Sequence, residues 1–221
     1  MRLTALVLTL LILSIGAQPA LAQTRAVEIE TARYQACLDR LESDAANAFE
    51  DAMSWRMEGG GWPARHCEAR ALIALDDVAE AALMLQALAE TGRFGPQDVA
   101  MRSSFWREAG DAWLQIEQGE NALRAYQAGL ALAPTDMDLM LGQAGALSAL
   151  QNWSDLRDMA NQLIDQAPYL AIGWRWRALA HLEMGALDHA RSDILSAMER
   201  APDDIDVLVL RGRILDALRN A

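Results

Sequence analysis

Pro134, Pro168 and Pro202 stand 34 residues apart, and the same step recurs through the second half of the chain. It links Trp106, Met140, Trp174 and Leu208, then Gly110, Ala144, Ala178 and Gly212, then Trp113, Leu147, His181 and Leu215. Behind these run Ala122, Leu156 and Ala190, then Tyr126, Ala160 and Ile194, then Gly129, Leu163 and Ala197. Each column keeps one size class or nearly so. An ordinary helical bundle shows helical periodicity but no constant step. A fixed period of this length points to stacked helical repeats.

Each column has a physical reason. Antiparallel helices approach to roughly 8–10 Å, which needs small residues where they cross. Gly110 is expected to face Ala122, and Ala178 to face Ala190, with the large columns filling the volume around them. A proline cannot continue a helix and suits a first turn, so it closes one unit and opens the next. Within units the breaks fall at Gln118-Gly119, Gln151-Asn152 and Met184-Gly185.

The pattern continues upstream less regularly. Trp62 to Leu75 and Val78 to Glu90 read as a helix pair with its break at Asp76-Asp77. Ala81 and Leu85 match Ala122 and Tyr126, but at a step of 41, so seven extra residues intervene. The turn-rich stretch Thr91 to Pro96 is the expected place for them. Ile29 to Leu41 and Ala45 to Met57 form a further pair, and Gly59-Gly60-Gly61 reads as an open loop. Asp206 to Leu218 supplies a lone first helix, expected to cap the last unit, with Arg211, Arg213 and Arg219 on a polar outer face.

The strings Trp106-x2-Ala109-Gly110-x2-Trp113, Ala122-x3-Tyr126 and Pro134 resemble the tetratricopeptide repeat family. So do Trp174, Ala178, His181, Gly185, Ala190, Ile194, Ala197 and Pro202. Residues 137–170 are looser, with Leu156 where the family usually has Ala. The resemblance implies an all-α fold: a right-handed α-solenoid of tetratricopeptide-like helix pairs with a C-terminal capping helix. It also implies a concave groove, lined by the first helix of each unit, that binds a peptide or protein. On that pattern His66 with Arg70, Arg107 with Asp111, Leu141 with Gly145, Arg175 with Leu179, and Val209 with Arg213 point into the groove. Arg107, Arg175 and Arg213 then either form a basic line for a ligand with spaced carboxylates or are solvated residues paired with nearby acids. Family members that clamp a terminal carboxylate place Asn on these helices, and none stands at those positions here.

The first residues read as an address. One positive charge at Arg2, an apolar run from Leu3 to Ile15 and Ala20-Leu21-Ala22 make a secretory leader over residues 1–22, cleaved before Gln23. An apolar run of about 13 residues falls short of the roughly 20 that span a bilayer. The expectation is therefore a periplasmic or secreted protein with no membrane insertion after cleavage. Irregular helix pairs are expected over 23–100 and the regular array over 101–221. An oxidising compartment and an even cysteine count favour a structural bridge between Cys37 and Cys67.

Composition narrows the chemistry. The net charge is −12, which argues against nucleic acid and anionic membranes as partners. The chain contains no Lys, which excludes Schiff-base and phosphate-loop lysine chemistry. Three scattered His and two Cys offer no nucleophile or metal motif, so no catalytic residue, metal or cofactor is expected. His181 is expected to pack in the core and His189 to face solvent, while Trp62 and Trp176 stand outside the core columns. Two roles fit: a non-catalytic scaffold binding a protein or peptide in the bacterial periplasm, or a structural subunit of an envelope assembly serving division, outer-membrane biogenesis or cytochrome maturation.

Overall fold

The computed structural model describes residues 18–92, 94 and 98–221, and all the secondary structure among them is helical. The helices are α1 (Gln18–Arg40), α2 (Ala45–Met57), α3 (Gly61–Ala74), α4 (Val78–Thr91), α5 (Asp98–Gln115) and α6 (Gly119–Leu132). They continue with α7 (Met137–Ala149), α8 (Trp153–Gln166), α9 (Ala171–Glu183), α10 (Leu187–Arg200) and α11 (Ile205–Arg219). The expected leader lies outside the described residues except for 18–22, which open α1.

The chain divides into two compact units between Leu75 and Asp76. The sequence places its change from irregular to regular repeats near residue 100; the division comes earlier because α4 packs on α5. In the first unit α1 lies against both α2 and α3, and α2 lies against α3. Asp44 caps α2 by accepting from the Asn47 amide. Cys37 of α1 and Cys67 of α3 are bridged, with Cα atoms 6.3 Å apart, inside the range a disulfide tolerates. The three glycines do not make an open loop. Gly59 and Gly60 donate to the carbonyls of Arg56 and Trp55, and α3 begins at Gly61.

The second unit follows the 34-residue grammar. The first helix of each pair ends in one repeated turn. The Gln118, Asn152 and Ala186 amides donate to the Trp113, Leu147 and His181 carbonyls six-to-one, and Glu117, Gln151 and Gly185 take positive φ of 59°, 55° and 75°. This is the Schellman closure, in which a left-handed residue turns the chain so that leftover helix carbonyls find donors. Asp76, with φ 70°, holds the corresponding place after α3. Pro134, Pro168 and Pro202 occupy identical places in the turns between units, each three residues before the helix that follows, at Met137, Ala171 and Ile205. Asp136 and Asp204 cap α7 and α11 through their carboxylates, and Asn152 caps α8.

The seven extra residues ahead of Ala122 are not confined to a loop. α5 has 18 residues against 13 for α7 and α9, so five of the seven lengthen the helix and two lengthen the connection. Paired helices close over the expected columns. Met140, Ala144 and Leu147 of α7 cluster with Leu156, Met159 and Leu163 of α8. Ala178 of α9 clusters with Ala190, Ile194 and Ala197 of α10. The small residue at 110 has a different neighbour from the one expected. A Cβ there would meet the Tyr126 ring at 2.6 Å, and one on Gly142 would meet the same ring at 2.2 Å, so two glycines clear space for one buried aromatic.

Candidate functional site

α5 lies beside α7 and α9 beside α11, so the first helices of neighbouring pairs share a face, as expected from the repeat. The side chains assigned to that face have different fates.

His66 is not a groove residue. It is 7% exposed, and its Nδ1 is hydrogen bonded to the Tyr34 hydroxyl of α1. Tyr34 also meets Trp62 edge-on, with ring centroids 5.5 Å apart. An aromatic contact with the neighbouring helix outcompetes solvent for this imidazole. Arg70 is exposed.

The three arginines expected to form an open basic line are each tied to an acid. Arg107 donates to Asp111 at 3.0 Å, one turn along α5. Arg175 of α9 pairs with Asp206 of α11, and Arg213 of α11 pairs with Glu183 of α9. The reason is reach: each guanidinium has a carboxylate one turn away or on the adjoining first helix. Asp111 is committed twice, since its other oxygen accepts from the Tyr126 hydroxyl at 2.7 Å. Burial, reinforced by this hydrogen bond to a carboxylate, pushes the Tyr126 phenol far above its ordinary range.

What the first helices do enclose is a pocket of about 190 Å³ between α9 and α11. Trp176, Leu179, Val209 and Leu210 form its apolar wall, and Arg175, Asp206 and Arg213 stand at its edges. Four residues assigned to the groove from sequence, Arg175, Leu179, Val209 and Arg213, therefore meet at one place. Trp176 belongs here too, turned into the pocket rather than onto an outer surface. The Arg175 Nε and Trp176 Nε1 are buried with no acceptor among the described residues. Leu141 packs at the edge of the α7–α8 core, and Gly145 sits near Leu114.

Behind this face lies a polar network with no counterpart in the sequence reading. Asp193 of α10, 4% exposed, accepts two bonds from Arg177 of α9, at 2.9 and 2.7 Å, and a third from His181 Nδ1 at 3.0 Å. Arg177 also donates to Asn161 of α8 and stacks on Trp174. His181, expected as a packing residue, is instead a donor to a buried carboxylate. Burial is the main cause that holds its pKa below the ordinary imidazole value; Arg177 and the neighbouring His189 push the same way, and Asp193 opposes them. The readable signal was Arg177 and His181 four apart on one helix, facing an acid in the next. His189 is exposed, with its ring 5.2 Å from that of His181.

Among the described residues no group of three or more His, Cys, Asp or Glu is placed to hold a metal ion. No described helix is long and apolar enough to cross a membrane.

No protein-family model and no curated protein sequence matches this chain. Solved structures do. YrrB, a TPR protein described as having an unusual peptide-binding site, superposes with a TM-score of 0.64 at 14% identity, over 79% of this chain and 85% of its own. The MamA RS-1 double mutant gives 0.63 at 20% identity, over 80% and 96%. The first TPR domain of Spaghetti, bound to the HSP90 peptide SRMEEVD, gives 0.50 at 18% identity, over 53% and 93%. With the 34-residue turns and paired helices already described, these likenesses identify the fold: this chain is built of tetratricopeptide-type helix pairs.

Proposed function

We propose that this protein is an exported, non-catalytic scaffold that binds an extended peptide segment of a protein partner along its first-helix face, anchored in the α9–α11 pocket. Export draws on the leader pattern of residues 1–22 and on the Cys37–Cys67 bridge, since such bridges persist in oxidising compartments such as the periplasm. Peptide binding draws on the neighbours, two of which carry peptides, and on the pocket itself, which carries the reading. Its arginines are neutralised by Asp206 and Glu183, so the preferred ligand differs from the carboxylate-spaced segment expected from sequence. An apolar side chain fills the wall of Trp176, Leu179 and Val209. Main-chain carbonyls of the ligand supply the acceptors that Arg175 Nε and Trp176 Nε1 lack, once these two buried N–H groups are uncovered at the pocket wall.

A displayed peptide library screened against the purified protein tests this. Selected peptides should share an apolar anchor, and Trp176→Ala with Val209→Asp should weaken them at least tenfold while the folded helix content is kept. Selected peptides that bind the double variant unchanged would place the interaction surface elsewhere.

A further inference from the structure

A cavity of about 470 Å³ opens between α1 and the start of α3, wholly within the first unit. That volume is in the range of small-molecule sites. Val27, Glu30, Thr31 and Tyr34 line it from α1, at the spacing of one helix face, and Trp62 and Pro63 line it from α3. The polar ends of this lining are held by other groups. Thr31 Oγ1 donates to the Val27 carbonyl at 2.8 Å, and the Tyr34 hydroxyl is hydrogen bonded to His66 Nδ1. One Glu30 carboxylate oxygen accepts from the Trp55 indole at 2.8 Å. These bonds fix the walls in place. They leave the cavity with aliphatic groups, two aromatic rings whose planes stand 68° apart, and one carboxylate.

That carboxylate has no countercharge. The indole that binds it is neutral, and among the described residues no arginine forms an ion pair with Glu30. Arg33, one turn along α1, is taken by Glu58 at 2.8 Å and lies over the Trp55 ring. An unpaired acid beside two aromatic rings is a cation site in its electrostatics, because the ring faces carry the negative end of the quadrupole and the acid adds to it.

We propose that this cavity binds a small quaternary ammonium compound, its alkylated nitrogen held by the Trp62 and Tyr34 rings and by Glu30. The hydrogen-bonding inventory selects that class among cations. A primary ammonium brings three N–H donors and a guanidinium five. With Thr31 and Tyr34 committed, the lining side chains offer them only Glu30, which already accepts one bond, and donors left unpaired in an apolar cavity cost free energy. A quaternary ammonium has no N–H to satisfy. Its alkyl groups pack on Val27 and Pro63, and its charge faces the rings and the acid. A trimethylammonium group reaches such a site as a free solute or as a lipid headgroup, and the chemistry of recognition is the same for both.

This site does not rest on the peptide-binding reading. Calorimetric titration of the full chain tests it with three probes of nearly equal shape or function: choline, its uncharged carbon analogue 3,3-dimethylbutan-1-ol, and ethanolamine. Choline should bind, and the other two should bind at least about tenfold more weakly, one for want of charge and the other for its N–H donors. Glu30→Gln keeps an acceptor for the Trp55 indole and removes only the charge, so it should weaken choline by about tenfold with an unchanged melt. Trp62→Leu should abolish binding, and its melt shows whether the fold is kept. Flotation with phosphatidylcholine vesicles distinguishes the source. Vesicle binding lost in Glu30→Gln assigns the group to a lipid headgroup, and choline binding alone assigns it to a free solute; either supports the site. No binding of choline up to about 10 mM and none to the vesicles overturns the proposal. Equal binding of the uncharged analogue overturns it too, since the cavity would then be merely apolar. So does equal binding of ethanolamine, or choline binding unchanged by Glu30→Gln.

Discussion

α1 is held by a covalent bridge and by polar and aromatic contacts, whereas α2 with α3, and the helices from Asp76 onward, bury small and large apolar side chains. No described side chain of α1 is buried. Its fixed points are Cys37, the Tyr34 contacts with His66 and Trp62, and Glu30, which accepts from the Trp55 indole at 2.8 Å. α8, in contrast, buries Leu156, Met159, Ala160, Leu163 and Ile164. A helix that buries no apolar stripe gains little from the hydrophobic effect and needs another tie. In the array each pair buries its own columns, so stability accrues pair by pair through neighbour contacts.

The largest test of that contrast is to cut the bridge. Cys67→Ser with Cys37→Ser releases a loop with a sequence separation of 30, which should cost roughly 3–4 kcal/mol by the chain-entropy estimate. Hydrogen exchange should show the loss in α1–α3, with α6–α10 keeping their protection. Equal loss of protection in both regions would mean that the two units fold as one cooperative body and that the contrast has no energetic content.

The repeated turn sharpens the other side of the comparison. Glu117 and Gln151 hold the left-handed conformation that Gly185 holds in the next unit. A side chain there costs about 1–2 kcal/mol, against which glycine loses about 0.5–1 kcal/mol of unfolded-chain entropy. Gln151→Gly should therefore stabilise by about 0.5–1 kcal/mol, and Gly185→Ala should destabilise by a similar amount. Paired denaturant titrations decide it: equal signs for the two changes would show that the turns are not equivalent.

The same turns explain what was legible in the sequence. Pro134, Pro168, Pro202 and the breaks before Gly119, Asn152 and Gly185 answer to local backbone rules, so spacing alone located them. Cys37 and Cys67 were readable because α1 and α3 are both first helices. The arginines were not, because their outcome depends on which acid lies across the gap. Arg175 finds Asp206 and Arg213 finds Glu183 at separations of 31 and 30, each a turn short of one repeat, and that offset is visible only once helices are set side by side. The buried Asp193 escaped for a related reason. A charge on a packing face looks like an error until Arg177 and His181 are seen to satisfy it.

That network gives the smallest predicted effect. Unfolded, His181 takes up a proton near the ordinary imidazole value of about 6.5. Folded, it takes one up at lower pH, because burial disfavours the imidazolium and Arg177 and His189 add repulsion that Asp193 only partly offsets. Between the two values the unfolded chain binds more protons, so stability rises with pH there. The contribution is complete above about pH 6.5 and is lost as pH falls through that value toward the folded pKa. His181→Asn keeps a donor for Asp193 but cannot titrate. Melting curves between pH 7.5 and 5 should fall more steeply for the wild type than for His181→Asn, with hydrogen exchange locating the difference in α9 and α10. The opposite slope, a wild type that gains on the variant as pH falls, would mean that attraction to Asp193 outweighs burial. The network would then be an ion pair strengthened by acid rather than a hydrogen-bonded core element weakened by it.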